Sequence, residues 1–449
     1  MELQNPELSI RPADEEYGFG KNFSGTFETL LRQERDTVPK MEEKSEKKFE
    51  ILYDGYYYDV TEFAKRHPGG DVINLYKDGD DATIPIQQFH YRSLKTVMAK
   101  MKGLSRRPAT DVNNNLEPSV KSRHDELTKD FLKLFKEIEA EGIMKAEPLV
   151  FGYKMFQNFV LFVIGLIFVH LFGVNSLICR GLGIIFITFA GGQFLWQGHE
   201  GGHNSFTGIP KLDRIGQIFS YGVIYGMSAS SWNYTHTEHH AMPQHETKDA
   251  DLKTLPLIAF NQCLLRNGRK PNFWMKYQHL LFVLCDTFIV VQTWKLNHHI
   301  KFAWKNRCYG DLICMAIHYA LVPILGGVTN WLIITWLSSI YILGNLILSH
   351  THYPVVKEGQ KLHWVEYAFI YTTNVRSSWW VDWWMGQLNN QIEHHLFPTM
   401  PQYKGKLIRN KVKAFAKRHG LPYQLCSYWE AVQTAYNNLE NVASEIRQM

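Results

Sequence analysis

Apolar and polar positions are distributed unevenly along the chain, and their periods predict its elements. Phe159 to Val174 and Gly181 to Trp196 are nearly unbroken apolar runs separated by a short loop around Asn175. Leu312 to Val328 and Trp331 to Leu348 form a second pair joined by Thr329-Asn330. Each run has 16 to 18 residues, close to the roughly 20 that a bilayer-crossing helix needs, so two hairpins of two spans are predicted. Gly222 to Ser230 and Leu280 to Val291 are shorter or broken by Asp286 and read as interfacial helices. Leu127, Phe131, Leu134, Phe135 and Ile138 recur at helical spacing among charges, which predicts an amphipathic helix on the membrane surface or on a neighbouring domain. Lys404 to Arg418 interleaves Leu407, Val412 and Phe415 with basic residues, a second amphipathic helix facing anionic headgroups or solvent. Residues 1–48 read as a flexible polar tail, 49–104 as a small α+β unit, 105–148 as linker and amphipathic helix, 149–425 as an all-α membrane domain, and 426–449 as a C-terminal tail.

Composition changes this picture little. The mean hydropathy of −0.23 averages a polar first third with an apolar remainder, and 13 Trp suit membrane interfaces. A net charge of +5 is only mildly basic and no basic cluster is interleaved with aromatics, so no nucleic-acid partner is expected. Six scattered cysteines without a CxxC pattern give neither a disulfide framework nor a zinc ribbon. Lys and Arg are dense outside the two hairpin tips, so the positive-inside rule puts the tips across the membrane and leaves the chain's polar parts in the cytosol.

The chemistry lies in the histidines. His67-Pro68-Gly69-Gly70 is a tight loop, and His90 follows 23 residues later. Two imidazoles presented from opposite sides suit bis-histidine haem ligation, which carries electrons and leaves no open site on iron. Three further boxes stand at the polar edges of the apolar runs: His199-Glu200-Gly201-Gly202-His203, His236-Thr237-Glu238-His239-His240, and Gln391-Ile392-Glu393-His394-His395. Each places imidazoles about one helical turn apart, on one face. Seven histidines, or eight with His352, exceed what one metal takes, and imidazole suits iron, copper, nickel and zinc. Two metals are expected. The first box also matches the H-E-x-x-H zinc-protease pattern, but two glycines weaken its helix and the other boxes stay unexplained.

The three boxes behind a haem unit resemble the cytochrome b5 fusion fatty acid desaturases of the front-end class over residues 49 to about 420. The most specific stretches are Asp382-Trp383 and Gly386 to Pro401, where Gln391 replaces a histidine. The resemblance implies a haem b axially held by His67 and His90, and two iron ions ligated by His199, His203, His236, His239, His240, His394 and His395. An eighth histidine closes the last span; His352 fits best and His350 is the second choice. Gln391 is a candidate for touching a ligand water, and Asn345 for holding a water near iron. Glu200 and Thr237 stand where the family usually has Asp and Asn, which removes no ligand but changes the groups that orient imidazoles.

The fold implied is a cytochrome b5-like haem domain followed by an all-α membrane desaturase domain with about four transmembrane helices. The function implied is O2-dependent insertion of a cis double bond into a polyunsaturated fatty acyl-CoA. Electrons come from an NADH-dependent cytochrome b5 reductase, and the site lies at the cytosolic face of the endoplasmic reticulum bilayer. A sphingolipid long-chain-base desaturase, a lipid hydroxylase and a non-catalytic haem membrane protein are the alternatives. Of the remaining histidines, His170 and His318 inside apolar runs read as hydrogen-bonded packing residues, and His245, His298, His299 and His363 as surface or interface residues.

Overall fold

Tyr56, Tyr57 and Tyr58 favour a pleated, half-buried strand. In the computed structural model, which describes residues 48–109, 116–265 and 271–449, they open strand β2 (Tyr56–Asp59). Asp54 and Gly55 both take positive φ and close a hairpin from β1 (Glu50–Tyr53) to β2. A third strand, β3 (Arg106–Pro108), pairs antiparallel with β2, so the small sheet takes in residues just past the expected boundary at 104. Except for Lys48, the expected tail over residues 1–48 lies outside the described residues. Helix α1 (Thr83–Phe89) delivers His90, and Pro85 sits in its first turn, where a missing N–H leaves no bond unmade.

The amphipathic helix α2 (Pro118–Ala140) buries the five apolar residues that the spacing picks out. They face neither lipid nor the haem unit alone. They join a core with Ile84 of α1, Phe369, Phe397 and the apolar face of a later basic helix, Ile408, Val412 and Phe415.

Helices α3 (Pro148–Ile167, continued to Phe172) and α4 (Leu177–Gly202) are long and apolar enough to cross a membrane. They cross tightly at Gly165 and Gly183: a Cβ on Gly183 would stand 2.7 Å from the Gly165 carbonyl oxygen. The second expected hairpin is different. Helix α6 (Tyr309–Ala320) has 12 residues, and α7 (Val328–Leu346) has 19 and buries Asn330, Thr335, Ser338, Ser339 and Asn345. Pro323 follows in a short 3-10 turn, and twelve residues rise about 18 Å against a hydrocarbon core of about 30 Å. Two of the four expected spans therefore meet length and composition together. The segments Gln278–Cys285 and Thr287–Lys305, bent by 61°, make a third candidate crossing where interfacial helices are expected.

Between these lie α5 (Ala229–Ala241), and after them α8 (Trp364–Ile370), α9 (Gln391–Leu396), α10 (Gly405–Arg418) and α11 (Tyr428–Gln448). Residues 426–449, expected as a tail, are mostly this last helix. A Ser427–Glu430 capping box starts it, and Ala431, Ala435, Leu439, Val442, Ala443 and Ile446 form its buried stripe. The basic helix α10 likewise turns its apolar face into the protein core and not toward headgroups.

The haem unit is docked on the membrane domain. The Arg92 guanidinium donates to the carbonyl oxygens of Asn204 (3.3 Å), Met144 (2.5 Å) and Thr399 (3.2 Å). Val60, Val72 and Ala82 share a core with Ala241, Met242 and Tyr367.

Candidate metal centre

Four chain segments converge on one buried point. Helix α4 runs into His199 and stops at His203. Helix α5 presents His236, His239 and His240, α9 presents His394 and His395, and the turns after α7 present His350. The start of α5 is pinned from α6, where buried Asp311 accepts from the Ser228 hydroxyl (2.6 Å) and the Ser230 N–H (2.7 Å). Helix α9 is pinned through buried Glu393, which accepts from Asn374 Nδ2 and Tyr423 Oη, both at 2.7 Å.

The imidazoles fall into two groups. His199, His203, His236, His240 and His394 bring one ring nitrogen each to within 4.8 Å of one another, and His239, His350 and His395 do the same. Helical geometry explains the division. His236 and His240, four apart, share a face and a group, whereas the neighbours His239 and His240, and His394 and His395, diverge by about 100° into different groups.

The rings are held from outside. His239 Nδ1 meets Asp249 at 3.0 Å and Asp251 at 3.4 Å, His350 Nδ1 meets the Tyr371 carbonyl at 3.3 Å, and His199 Nδ1 meets the Gln402 amide. The contacts on His239 and His350 engage Nδ1 and leave Nε2 for the interior, as carboxylate- and carbonyl-backed metal ligands do. Glu200 is occupied by Lys154 Nζ and the Gln402 N–H, both at 3.1 Å, so it is no free base of a zinc protease.

This donor set fits metal. The Nε2 atoms of His203 and His236, and of His236 and His240, lie 3.0 Å apart, an approach that neutral acceptors make around a shared proton or cation. His394 Nε2 is buried without a hydrogen-bond partner. Burial, with help from neighbouring imidazoles, pulls His236, His240, His394 and His395 well below the ordinary histidine pKa, and burial takes His203 and His350 to about 3. Neutral imidazole is the ligating form. His239 is the exception: burial works against its charge, but Asp251 and Asp249 hold it up at about 9.

Of the two candidates for the eighth position, the geometry brings His350 and not His352 beside the other imidazoles. His350 stands in the three-histidine group, whereas His352 stacks on Tyr353 with Nε2 3.4 Å from Thr373 Oγ1. Two residues apart in a turn, they point to different sides. Gln391 is buried on the α9 face that carries His394 and His395, and its Oε1 has no hydrogen-bond partner. Asn345 donates to the Tyr341 carbonyl at 2.6 Å and accepts from Tyr428 Oη at 3.3 Å. It also lines an apolar cavity of about 440 Å³ with Phe189, Leu337, Leu348 and Leu439. Asp249, Asp251, Gln402, Asn374 and Tyr423 escape the motif reading. Asp249 and Gln402 had a local signal, a carboxylate ten residues after His239 and an amide just past the third box. His299 and His363 are buried rather than superficial.

In the haem unit, the His67 and His90 rings face each other at 6.2 Å between centroids. Their Nδ1 atoms bond the carbonyls of Gly70 (3.2 Å) and Ile86 (3.1 Å), turning both Nε2 atoms inward. The gap accommodates one metal with ligand bonds of about 2 Å on either side. Burial lowers both pKa values, so these rings also favour the neutral, ligating form.

Comparison with known proteins places two families along the chain. The family described as Cytochrome b5-like Heme/Steroid binding domain matches residues 35–107, and the family described as Fatty acid desaturase matches residues 175–427. The chain is 37% identical to an acyl-lipid (8-3)-desaturase of Rebecca salina over 88% of its own length and 92% of that protein. It is 35% identical to an acyl-lipid (8-3)-desaturase of Thraustochytrium sp over 90% and 94%, and 26% identical to fatty acid desaturase 3 of Bos taurus over 85% and 87%. This chain belongs to the membrane-bound fatty acid desaturase family, in the front-end form that carries a cytochrome b5 domain ahead of the desaturase domain.

Proposed function

We propose that the chain inserts a cis double bond into a polyunsaturated acyl chain, between an existing double bond and the carboxyl end, with O2 as oxidant. The ligands we assign to two iron ions are His199, His203, His236, His240 and His394 for one, and His239, His350 and His395 for the other. His67 and His90 hold haem b, which receives electrons from an NADH-dependent cytochrome b5 reductase. The observation that carries this reading is the division of eight imidazoles, six of them buried and His203 and His236 half-buried, into adjoining groups of five and three.

When bound, the iron pair supplies O2 activation and hydrogen abstraction from an unactivated methylene. The residues do the rest. Asp249, the Tyr371 carbonyl and Gln402 fix ring orientation, and the apolar cavity beside Asn345 holds the hydrocarbon away from water. In balance, the acyl chain loses two hydrogens, two electrons and two protons are supplied, and O2 leaves as two waters. Of the two possible carriers, the relatives at 35% and 37% identity are named acyl-lipid desaturases, so we assign a lipid-bound acyl chain in place of the acyl-CoA expected from the sequence. The orientation we assign puts the histidine groups and haem unit on the cytosolic face of the endoplasmic reticulum.

The test is lipid profiling of a host that expresses the chain and is fed candidate polyunsaturated acids, with the purified protein assayed for metal. A new double bond in lipid-bound chains and two irons beyond haem are expected. Product appearing first in the acyl-CoA pool would overturn the carrier assignment, and a protein without non-haem iron would overturn the reading as a whole.

A further inference from the structure

The haem site and the histidine groups are joined by a short aromatic path. Phe89 is the residue before His90, and its ring meets Trp364 edge to face at 6.0 Å between centroids. Trp364 is buried, and its Nε1–H donates to the backbone carbonyl of His240 at 3.2 Å. His240 belongs to the group of five. A second contact competes: a Cβ on Gly70, whose carbonyl bonds His67, would stand 3.0 Å from the ring of Tyr234, two residues before His236.

Resting on the function proposed above, we propose that Trp364 is the positioning residue that couples the haem site electronically to the iron site, through Phe89 on one side and the His240 carbonyl on the other. The Trp364 route ends in a hydrogen bond to a ligand residue's own backbone, whereas Tyr234 meets the haem side through glycine, which offers no side-chain orbitals. Each transfer takes one electron from ferrous haem, leaving it ferric, and adds one to the iron pair. Trp364 is unchanged by the event and keeps its N–H proton. Two such transfers, with the two electrons lost by the acyl chain, complete the four-electron reduction of O2 to two waters. A buried indole between α1 and α5 also keeps water out of the path, which lowers the reorganisation that each transfer requires.

The experiment uses the full chain in lipid nanodiscs, with haem reduced anaerobically by dithionite and then mixed with O2 and acyl-lipid substrate. Haem absorbance follows reoxidation, and His236→Ala sets the background through direct autoxidation. Trp364→Leu should slow reoxidation by about an order of magnitude with haem spectrum, haem potential and iron content intact. Trp364→Phe, which keeps a ring but loses the N–H, should fall between, and Phe89→Leu should slow it less. Should Trp364→Leu lose iron, Trp364→Phe and Phe89→Leu decide instead.

Wild-type reoxidation in metal-replete Trp364 variants overturns the proposal, as does slowing by Tyr234→Leu in their place. A wild-type protein that holds haem but no non-haem iron fails the proposed function instead, and is recognised before any variant is read.

Discussion

The haem pair and the histidine cage are built in opposite ways. His67 and His90 lie within one short segment, and backbone carbonyls three or four residues away orient both rings. The cage draws on four segments spread from His199 to His395, and side chains from still other segments, Asp249 and Gln402, orient two of its rings. The first site is a property of a local fold. The second exists only when the whole domain has assembled, so damage to it spreads differently.

The sharpest way to break the comparison is within the cage. His236→Ala should abolish product and strip non-haem iron while haem absorbance persists, since neither histidine of the haem pair nor the carbonyl that orients it lies on α5; metal analysis with the visible spectrum checks both halves. Next, His350→Ala should lose iron and turnover to a similar degree, whereas His352→Ala should keep two irons and most activity. Equal loss in both would return His352 to the cage. One layer out, Asp249→Asn removes the charge behind His239 and should cost about 10- to 100-fold in iron affinity or activity, read by iron titration.

The interface between the two regions gives a smaller effect. Arg92→Ala removes charge-assisted bonds each worth about 1.5–3 kcal/mol, so the melting temperature of the full chain should drop while haem stays bound. The smallest effect is pH-dependent. His363 caps α8 by accepting from the Val365 N–H at 3.3 Å, and burial, with His124, Arg123 and His419 nearby, holds its pKa at about 3. The unfolded chain takes up that proton near pH 6.5 and the folded one does not, so stability is lost as pH falls from about 6.5 toward about 3. His363→Asn, which keeps a side-chain acceptor at the N-cap and does not titrate in this range, should flatten this slope, measured by thermal unfolding at pH 7 and pH 5.

What sequence reveals follows the same contrast. The haem loop and the boxes were legible because each is a short spacing on a turn or one helix face. The eighth histidine was not, because His350 and His352 follow the end of α7 in consecutive turns, where no period says which side chain points inward. Asp249 and Gln402 were hidden for a related reason: a ring's outer partner is selected by tertiary contact. The second apolar pair is less uniform than its aliphatic residues suggest, because Asn330, Ser338 and Asn345 stand among them and are buried in the interior. Helix α11 was missed because half of its buried stripe is alanine, which carries little hydrophobic signal.

Arg92 has a consequence for kinetics. By tying Asn204, Met144 and Thr399 to the haem unit, it holds that unit docked, so that under the proposed function electron delivery within the chain would be first order and insensitive to how dilute the enzyme is in the membrane. A free carrier must leave to be reduced again. Under the proposed function this one would be recharged in place, and its electron donor would have to come to it and read the side of the haem unit turned away from the membrane domain.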